Sequence, residues 1–265
     1  MQAVSSQDAI EVEVVRPDRT TRRIDYIGSP GTIDANPQAF YVDRLYPAAR
    51  IDPHFHDIDQ FQVVVDGDCH MGKKHAGPVT FQYADAYTPY GPIVGREDGF
   101  AFFTLRPIAS GGFWAMPGNR QNMPCRAGRN IAGRFDMSGP PPASGDVEMR
   151  RLMDAQPDGV DAVGIRLGPS AVADGPASDG GGQYYLVCEG EVRVGDDLLP
   201  RRSLIHVAAG EAAPRFFACS EGADVLVLQF GRPSDRPGSD PAERAGRDPD
   251  AYMRRADDPG VERTR

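Results

Sequence analysis

Asp52-Pro-His-Phe-His-Asp-Ile-Asp-Gln-Phe-Gln-Val-Val-Val-Asp-Gly67 is the stretch on which the reading of this chain turns. Its second half, residues 60–65, is rich in β-branched and aromatic residues and reads as a strand that ends at a glycine turn. Side chains two apart on a strand share a face, so His54 and His56 aim at one point. Gln60 and Gln62 share that parity if the strand stays regular through residues 57–59. Two imidazoles and an amide turned into one interior are costly to bury unpartnered. The expectation is a metal ion or a polar ligand between them.

Working outward, strand-like runs recur at residues 39–45, 78–82 and 99–105, and again at 163–167, 184–187, 191–194, 203–207 and 223–230. Short strands at this spacing predict an all-β sandwich or barrel. The one short helix predicted before the tail covers residues 146–155. The two sets of strands form an internal repeat. Gln60-Phe-Gln-Val-Val-Val-Asp-Gly67 aligns without a gap on Gln183-Tyr-Tyr-Leu-Val-Cys-Glu-Gly190. Pro89-Tyr90-Gly91 then corresponds to Ala208-Ala209-Gly210, and Phe102–Pro107 to Leu228–Pro233. Ser138-Gly-Pro-Pro-Pro-Ala-Ser-Gly145 cannot continue a strand or helix, so the break is expected there. This gives domains at 1–140, 141–231 and a charged tail at 232–265.

The spacing His54-x-His56, three residues, Gln60, six residues, Gly67 resembles the first motif of the cupin superfamily, in which an acid stands at the Gln60 position. Pro89-Tyr90-Gly91-Pro92-Ile93-Val94 resembles the second motif, with Val94 where the family has a metal-binding His. With the repeat, the resemblance implies two tandem cupin-like β-barrels, of the jelly-roll or double-stranded β-helix type. It implies a divalent metal on His54, His56 and Gln60, with Fe(II) favoured and Zn, Mn, Ni or Cu as other choices. It also implies an enzyme of the dioxygenase type, with decarboxylases, isomerases and lyases as other candidates. The substrate would be a small carboxylate or enolisable compound, and Tyr90 and Gln62 would position its polar atoms. In the second half Ala177, Asp179, Gln183 and Ala213 hold the motif positions, so no second metal site is expected.

The alternatives are a cupin that binds a small molecule without metal, and a structural module. In the former, Gln60 and Gln62 offer hydrogen bonds, while Phe55, Phe61 and Phe81 line or back the pocket. Of the two tyrosines flanking Pro89, Tyr87 and Tyr90, one is expected to pack and the other to hydrogen-bond. Asp57 and Asp59 read as turn formers or as partners of a histidine N–H. Trp114 is expected between the barrels, His70 and His75 on the surface, and His206 partly buried.

A net charge of −9 argues against a nucleic-acid-binding surface, which is normally basic. No apolar run reaches the roughly 18–20 residues that cross a bilayer, and residues 1–10 lack the pattern of a secretory signal. A cytoplasmic protein is the expectation. Its four cysteines show no paired spacing, which argues against a disulfide framework or a zinc knuckle. The tail carries eight basic and eight acidic residues and reads as solvated chain, with a surface helix over 241–256 as the other choice. Open strand edges and the family resemblance lead to the expectation of a homodimer.

Overall fold

The computed structural model describes residues 1–15, 19–30 and 36–240. Among them every regular element is a β-strand, apart from one three-residue 3-10 turn at Arg120–Asn122. No helix among the described residues is long and apolar enough to cross a membrane. The chain divides into two compact units: Ile10–Ala132 with Pro233–Arg265, and Gly133–Arg232 with Met1–Ala9.

In the unit that holds the histidines, two long antiparallel strands, Gln60–Met71 and Ile93–Arg106, form the centre of the sheet. Thr80–Ala84 flanks the first, and Gln38–Arg44, Thr20–Ile27 and Ile10–Val15 follow beyond the second. Alternation divides the central strand cleanly. Gln60, Gln62 and Val64 turn to one face, where Val64 joins a buried cluster with Met71, Tyr90, Ile93, Phe100 and Phe102. Phe61 and Val63 turn to the opposite face, where Phe61 packs on Phe81 and Tyr83. Phe61 and Phe81 are therefore packing residues behind the sheet, the second of the two roles considered for them, and strand parity keeps them from lining the interior beside Gln60.

The other unit repeats this plan on Gln183–Val194 and Arg215–Gln229. The ladders match residue for residue. Phe61 opposes Leu105, Gln62 opposes Thr104 and Val64 opposes Phe102. Correspondingly Tyr184 opposes Leu228, Tyr185 opposes Val227 and Val187 opposes Val225. Both ladders then slip by a residue at the same place, just past Val64 and Val187. The glycines that close the aligned runs explain why the strands continue past them instead of turning. Gly67 and Gly190 adopt φ of 67° and 71°, and a Cβ on either would collide with the carbonyl of a glycine in the facing strand, Gly99 or Gly222. Only a residue without Cβ permits that bulge. The turn itself comes later, at Gly72. The register also corrects the third landmark of the repeat: Leu105 corresponds to Leu228, so Arg106 corresponds to Gln229 and not to Arg232.

Three further expectations differ from the structure. Residues 146–155 contain the strand Val147–Arg151, laddered to Asp161–Leu167; its Glu, Met and Arg residues favour helix locally, and pairing overrides them. Met1–Ala9 belongs with the later residues because Gln2–Val4 pairs with Leu204–Val207 and the Met1 amine meets Glu211 at 2.6 Å. The second unit begins at Gly133, ahead of the proline-rich stretch, because Phe135 is buried over Gly164, where any Cβ would collide with its ring. Within the tail, residues 233–240 lie with the first unit. There the Arg236 guanidinium donates to the Ala86 and Arg126 carbonyls at 2.7 and 3.1 Å. The helix considered for 241–256 falls outside the described residues.

Two outcomes test this description. Gly67→Ala forces a left-handed backbone onto a residue with a Cβ and drives it into Gly99, and is expected to cost about 2 kcal/mol or more; urea unfolding measures it. Half-buried His206 has its pKa pushed down to about 4, chiefly by burial, with the Met1 ammonium adding to the shift and Glu211 opposing it. The unfolded chain, titrating near 6.5, takes up that proton first. His206 therefore lowers stability progressively as pH falls from about 6.5 to about 4 and adds nothing further below that, a total of order 2–3 kcal/mol. Unfolding curves of His206→Gln should lack this part of the acid limb.

Candidate functional site

Interior-facing residues of the first unit form rows across adjacent strands. The innermost row is apolar: Val64 lies beside Phe102, which lies beside Val42. Next comes an amide and hydroxyl row, with Gln82, Gln62 and Thr104 on neighbouring strands. The third row carries charge. Arg106, at the end of its strand, lies between Gln60 and Gln38, and its Nε and Nη1 donate to their Oε1 atoms at 3.2 and 2.6 Å. Arg106, Gln38 and Gln60 are 6%, 1% and 2% exposed, so this guanidinium is a buried charge held by amide carbonyls.

His54, His56 and Tyr90 stand against this row. The chain bends at residues 57–59 and is not regular strand there, yet the expected residues still converge. The rings of His54 and His56 have centroids 5.2 Å apart, and His54 lies 4.5 Å from Tyr90 and 4.0 Å from Phe113, on which it stacks. Backbone bonds between His54 and Tyr90, at 3.1 and 3.0 Å, tie the two segments together. Each histidine places Nδ1 on a carbonyl: His54 on Asp52 at 2.7 Å, His56 on Gly112 at 2.6 Å. A carbonyl can only accept, so in each neutral ring the proton sits on Nδ1 and Nε2 carries the lone pair. Asp57 accepts from Ser110 Oγ and the Gly111 amide, at 2.9 and 3.0 Å, and so secures the loop whose Gly112 carbonyl orients His56.

The turn leading to Tyr90 is held from two sides. Tyr87 adopts a φ of 56°, unfavourable for a side chain of its size. Asp59 takes the Ala86 amide at 2.7 Å and the Tyr83 hydroxyl at 2.9 Å, while Arg236 takes the Ala86 carbonyl. Asp59 has its pKa raised to about 6, first by burial, with Asp85 adding to it and both hydrogen bonds opposing. Of the two tyrosines, Tyr87 packs near Phe55 and Tyr90 hydrogen-bonds to Gln60. Trp114 stacks on Phe55 within this same unit, centroids 5.5 Å apart and planes at 5°, so it covers the short strand that carries His54.

Arg106 sets the electrostatics. Its Nη2 lies 3.2 Å from Nε2 and 3.3 Å from Nδ1 of His56. Such near-equal spacing places the nitrogen over the ring face, since an in-plane approach would strike the carbon between them. Burial first, then the Arg106 charge and the neighbouring His54 ring, hold the His56 pKa well below its usual value, against the pull of the Gly112 carbonyl. Arg106 also fixes an orientation two groups away. Its Nε is a donor only, so it selects Gln60 Oε1 and leaves Gln60 Nε2 to face Tyr90, whose hydroxyl must then accept. Burial keeps that phenol protonated, far above its usual range.

Does this set fit a divalent metal? The two Nε2 lone pairs do, but the rest does not. Both polar atoms of Gln60 are already engaged, and the late motif position offers only the half-buried Val94 and the fully buried Ile93. No group of three or more His, Cys, Asp or Glu among the described residues is arranged to hold a metal. A guanidinium that cannot deprotonate sits directly over one would-be ligand. Even two unit charges 4 Å apart repel by roughly 4 kcal/mol at an effective dielectric of 20, and a dication doubles that. As arranged, Gln60 and His56 already hold a resident cation, with His54 beside them.

No family model and no curated protein matches the chain. Solved structures do match. A candidate dioxygenase from Nostoc punctiforme superposes with a TM-score of 0.59 over 90% of this chain and 84% of its own, at 14% identity. Oxalate decarboxylase from Bacillus subtilis, studied for its Mn(II) centres, gives 0.56 over 88% and 78%, at 12% identity. Pirin from Escherichia coli, crystallised with nickel(II), gives 0.52 over 88% and 99%, at 11% identity. All three are cupins. The fold is a cupin fold. At these identities the likeness concerns the backbone, and the chemistry of this cupin barrel rests on its own side chains.

Those side chains include one that the motif does not contain. Arg106 lies far from the histidines in sequence, and an internal alignment anchored on Arg-Pro pairs it with Arg232, three residues out of register. The available signal was parity: a lone arginine closing the otherwise apolar run Phe-Ala-Phe-Phe-Thr-Leu105, directly across from Gln60. Arg106→Met should strip two buried carbonyls of their donor and cost roughly 2–5 kcal/mol of stability. Arg106→Gln should cost clearly less, because Gln229 fills the equivalent place opposite Gln183 at 2.8 Å in the other unit. Urea denaturation of both variants measures the difference.

Proposed function

We propose that the first barrel binds a small organic molecule bearing an oxyanion, either a carboxylate or the enolate of an enolisable carbonyl, with Arg106 as its counter-charge. The observation that carries this reading is Gln62. Its Oε1 is buried without a hydrogen-bond partner, the residue is 4% exposed, and it stands in the row between the apolar floor and Arg106. A buried acceptor left unpartnered costs about 1–3 kcal/mol, a cost that a donor on a ligand would remove. Tyr90 adds a complementary group, since the phenol is kept neutral and accepts from Gln60, so its own proton is directed away from that amide. A hydroxy acid or enol acid matches this pattern, giving O–H to Gln62 and negative oxygen to Arg106 and Tyr90. The floor of Val64 and Phe102 suits a short apolar remainder. Where the bound carbonyl is enolisable, the same groups favour the enolate because they balance charge on its oxygen.

The metal-dependent dioxygenase implied by the motif is the second reading, favoured by the adjacency of the His54 and His56 rings, and it requires Arg106 to leave its present place. Differential scanning of wild-type protein against small hydroxy- and oxo-carboxylates tests the first reading. Some of these acids should raise the melting temperature, and Arg106→Gln should weaken their binding by tenfold or more. Gln62→Leu should weaken hydroxylated acids while raising the stability of the ligand-free protein. The reading fails if no such acid binds, or if Gln62→Leu destabilises the free protein.

A further inference from the structure

The two barrels divide between them the parts of a metal site. In the first, two imidazoles lie side by side but a guanidinium stands over one of them; in the second, the equivalent ladder position holds neutral Gln229 and there are no histidines at the corresponding places. The fold therefore accepts a neutral amide where Arg106 stands. At that position Gln229 completes a closed set of hydrogen bonds with Gln183, Gly159 and Asp179, at 2.8, 2.7 and 2.9 Å. In the first barrel the charge is the departure, and it lies over the face of His56, between two amide carbonyls that would otherwise be hard oxygen donors.

We propose that Arg106 is a specificity-determining residue that excludes divalent metals from the first barrel, and that neutralising it converts the site into one that binds a transition-metal ion through His54 and His56. The inference does not depend on the oxyanion reading, because it follows from the arrangement of the protein's own groups. The guanidinium stays charged at every accessible pH, so its exclusion of cations is permanent. Once it is removed, Gln60 Oε1 and Gln38 Oε1 lose their donor and the two Nε2 lone pairs lose a neighbouring positive charge. Two imidazoles with amide or water oxygens suit Ni(II), Cu(II) or Zn(II), and two nitrogen ligands with labile oxygens bind more weakly than a full set of side-chain ligands.

Titration calorimetry and metal analysis with Ni(II) and Zn(II), on the full chain with any purification tag removed, test this. Wild type and Arg106→Lys, which retains the charge, should take up no stoichiometric ion. Arg106→Gln should bind one ion per chain at least tenfold more tightly than wild type, and Arg106→Gln with His54→Ala should lose it. Arg106→Ala, which frees both amide carbonyls, should bind at least as tightly as Arg106→Gln. The proposal is overturned if the wild type holds one ion that His54→Ala abolishes, or if the folded neutral variants bind no better than wild type. The wild-type measurement needs no substitution at Arg106, so it can overturn the proposal even if the neutral variants do not fold. Loss of acid binding in Arg106→Gln without any gain of metal would leave the oxyanion reading standing and remove this one.

Discussion

A positive charge that cannot be neutralised is expensive to bury, and the interior of the first barrel is organised around meeting that requirement for Arg106. The amides of Gln38 and Gln60 are turned by it, each presenting oxygen. Gln60 then presents nitrogen to Tyr90, and Tyr90 is bound through its backbone to His54. The face of His56 receives the remaining nitrogen. One donor-only group thus determines the hydrogen-bonding sense of its neighbours, an ordering that neutral residues able to flip would not impose.

Much of the architecture was legible in the sequence, for a physical reason. Strand parity and the gap-free match of 60–67 on 183–190 are local patterns, and β-ladders preserve them down to a shared bulge. His54 and His56 were legible too, since they are two residues apart on one short segment. Arg106 was not, because what places it opposite Gln60 is register across the sheet, and register is set by the bulge and its glycines. The segment 147–151 misled for the related reason that its composition favours helix while its partner strand does not allow one. Gln2–Val4 was missed because three residues carry almost no periodic signal, although they complete a sheet edge.

The repeat also shows how one backbone supports two interiors. Where the first unit has Gln62 opposite Thr104, the second has Tyr185 opposite Val227, and its interior is a continuous apolar cluster running from Ile165 to Val227. Tyr185 spends its hydroxyl on Gln183 at 2.6 Å and on the Pro176 carbonyl at 3.1 Å. Nothing comparable satisfies Gln62. The second interior is closed by its own side chains, and the first keeps a polar atom in reserve.

The two ends of the chain are exchanged between the units. The opening strand edges the sheet of the later unit, and residues 233–240 return to the earlier one, where Arg236 holds the Ala86 carbonyl. Neither barrel is therefore a contiguous stretch of sequence. Excising residues 133–232 would leave Leu204–Val207 with an open edge, and ending the chain at 132 would take the Arg236 contacts away from the strained Tyr87 turn. During synthesis Gln2–Val4 must wait until Leu204–Val207 emerges, and the histidine-bearing barrel gains its Arg236 fastening only after residues 133–232 have been made. Completion of the site is thereby tied to synthesis of the second unit.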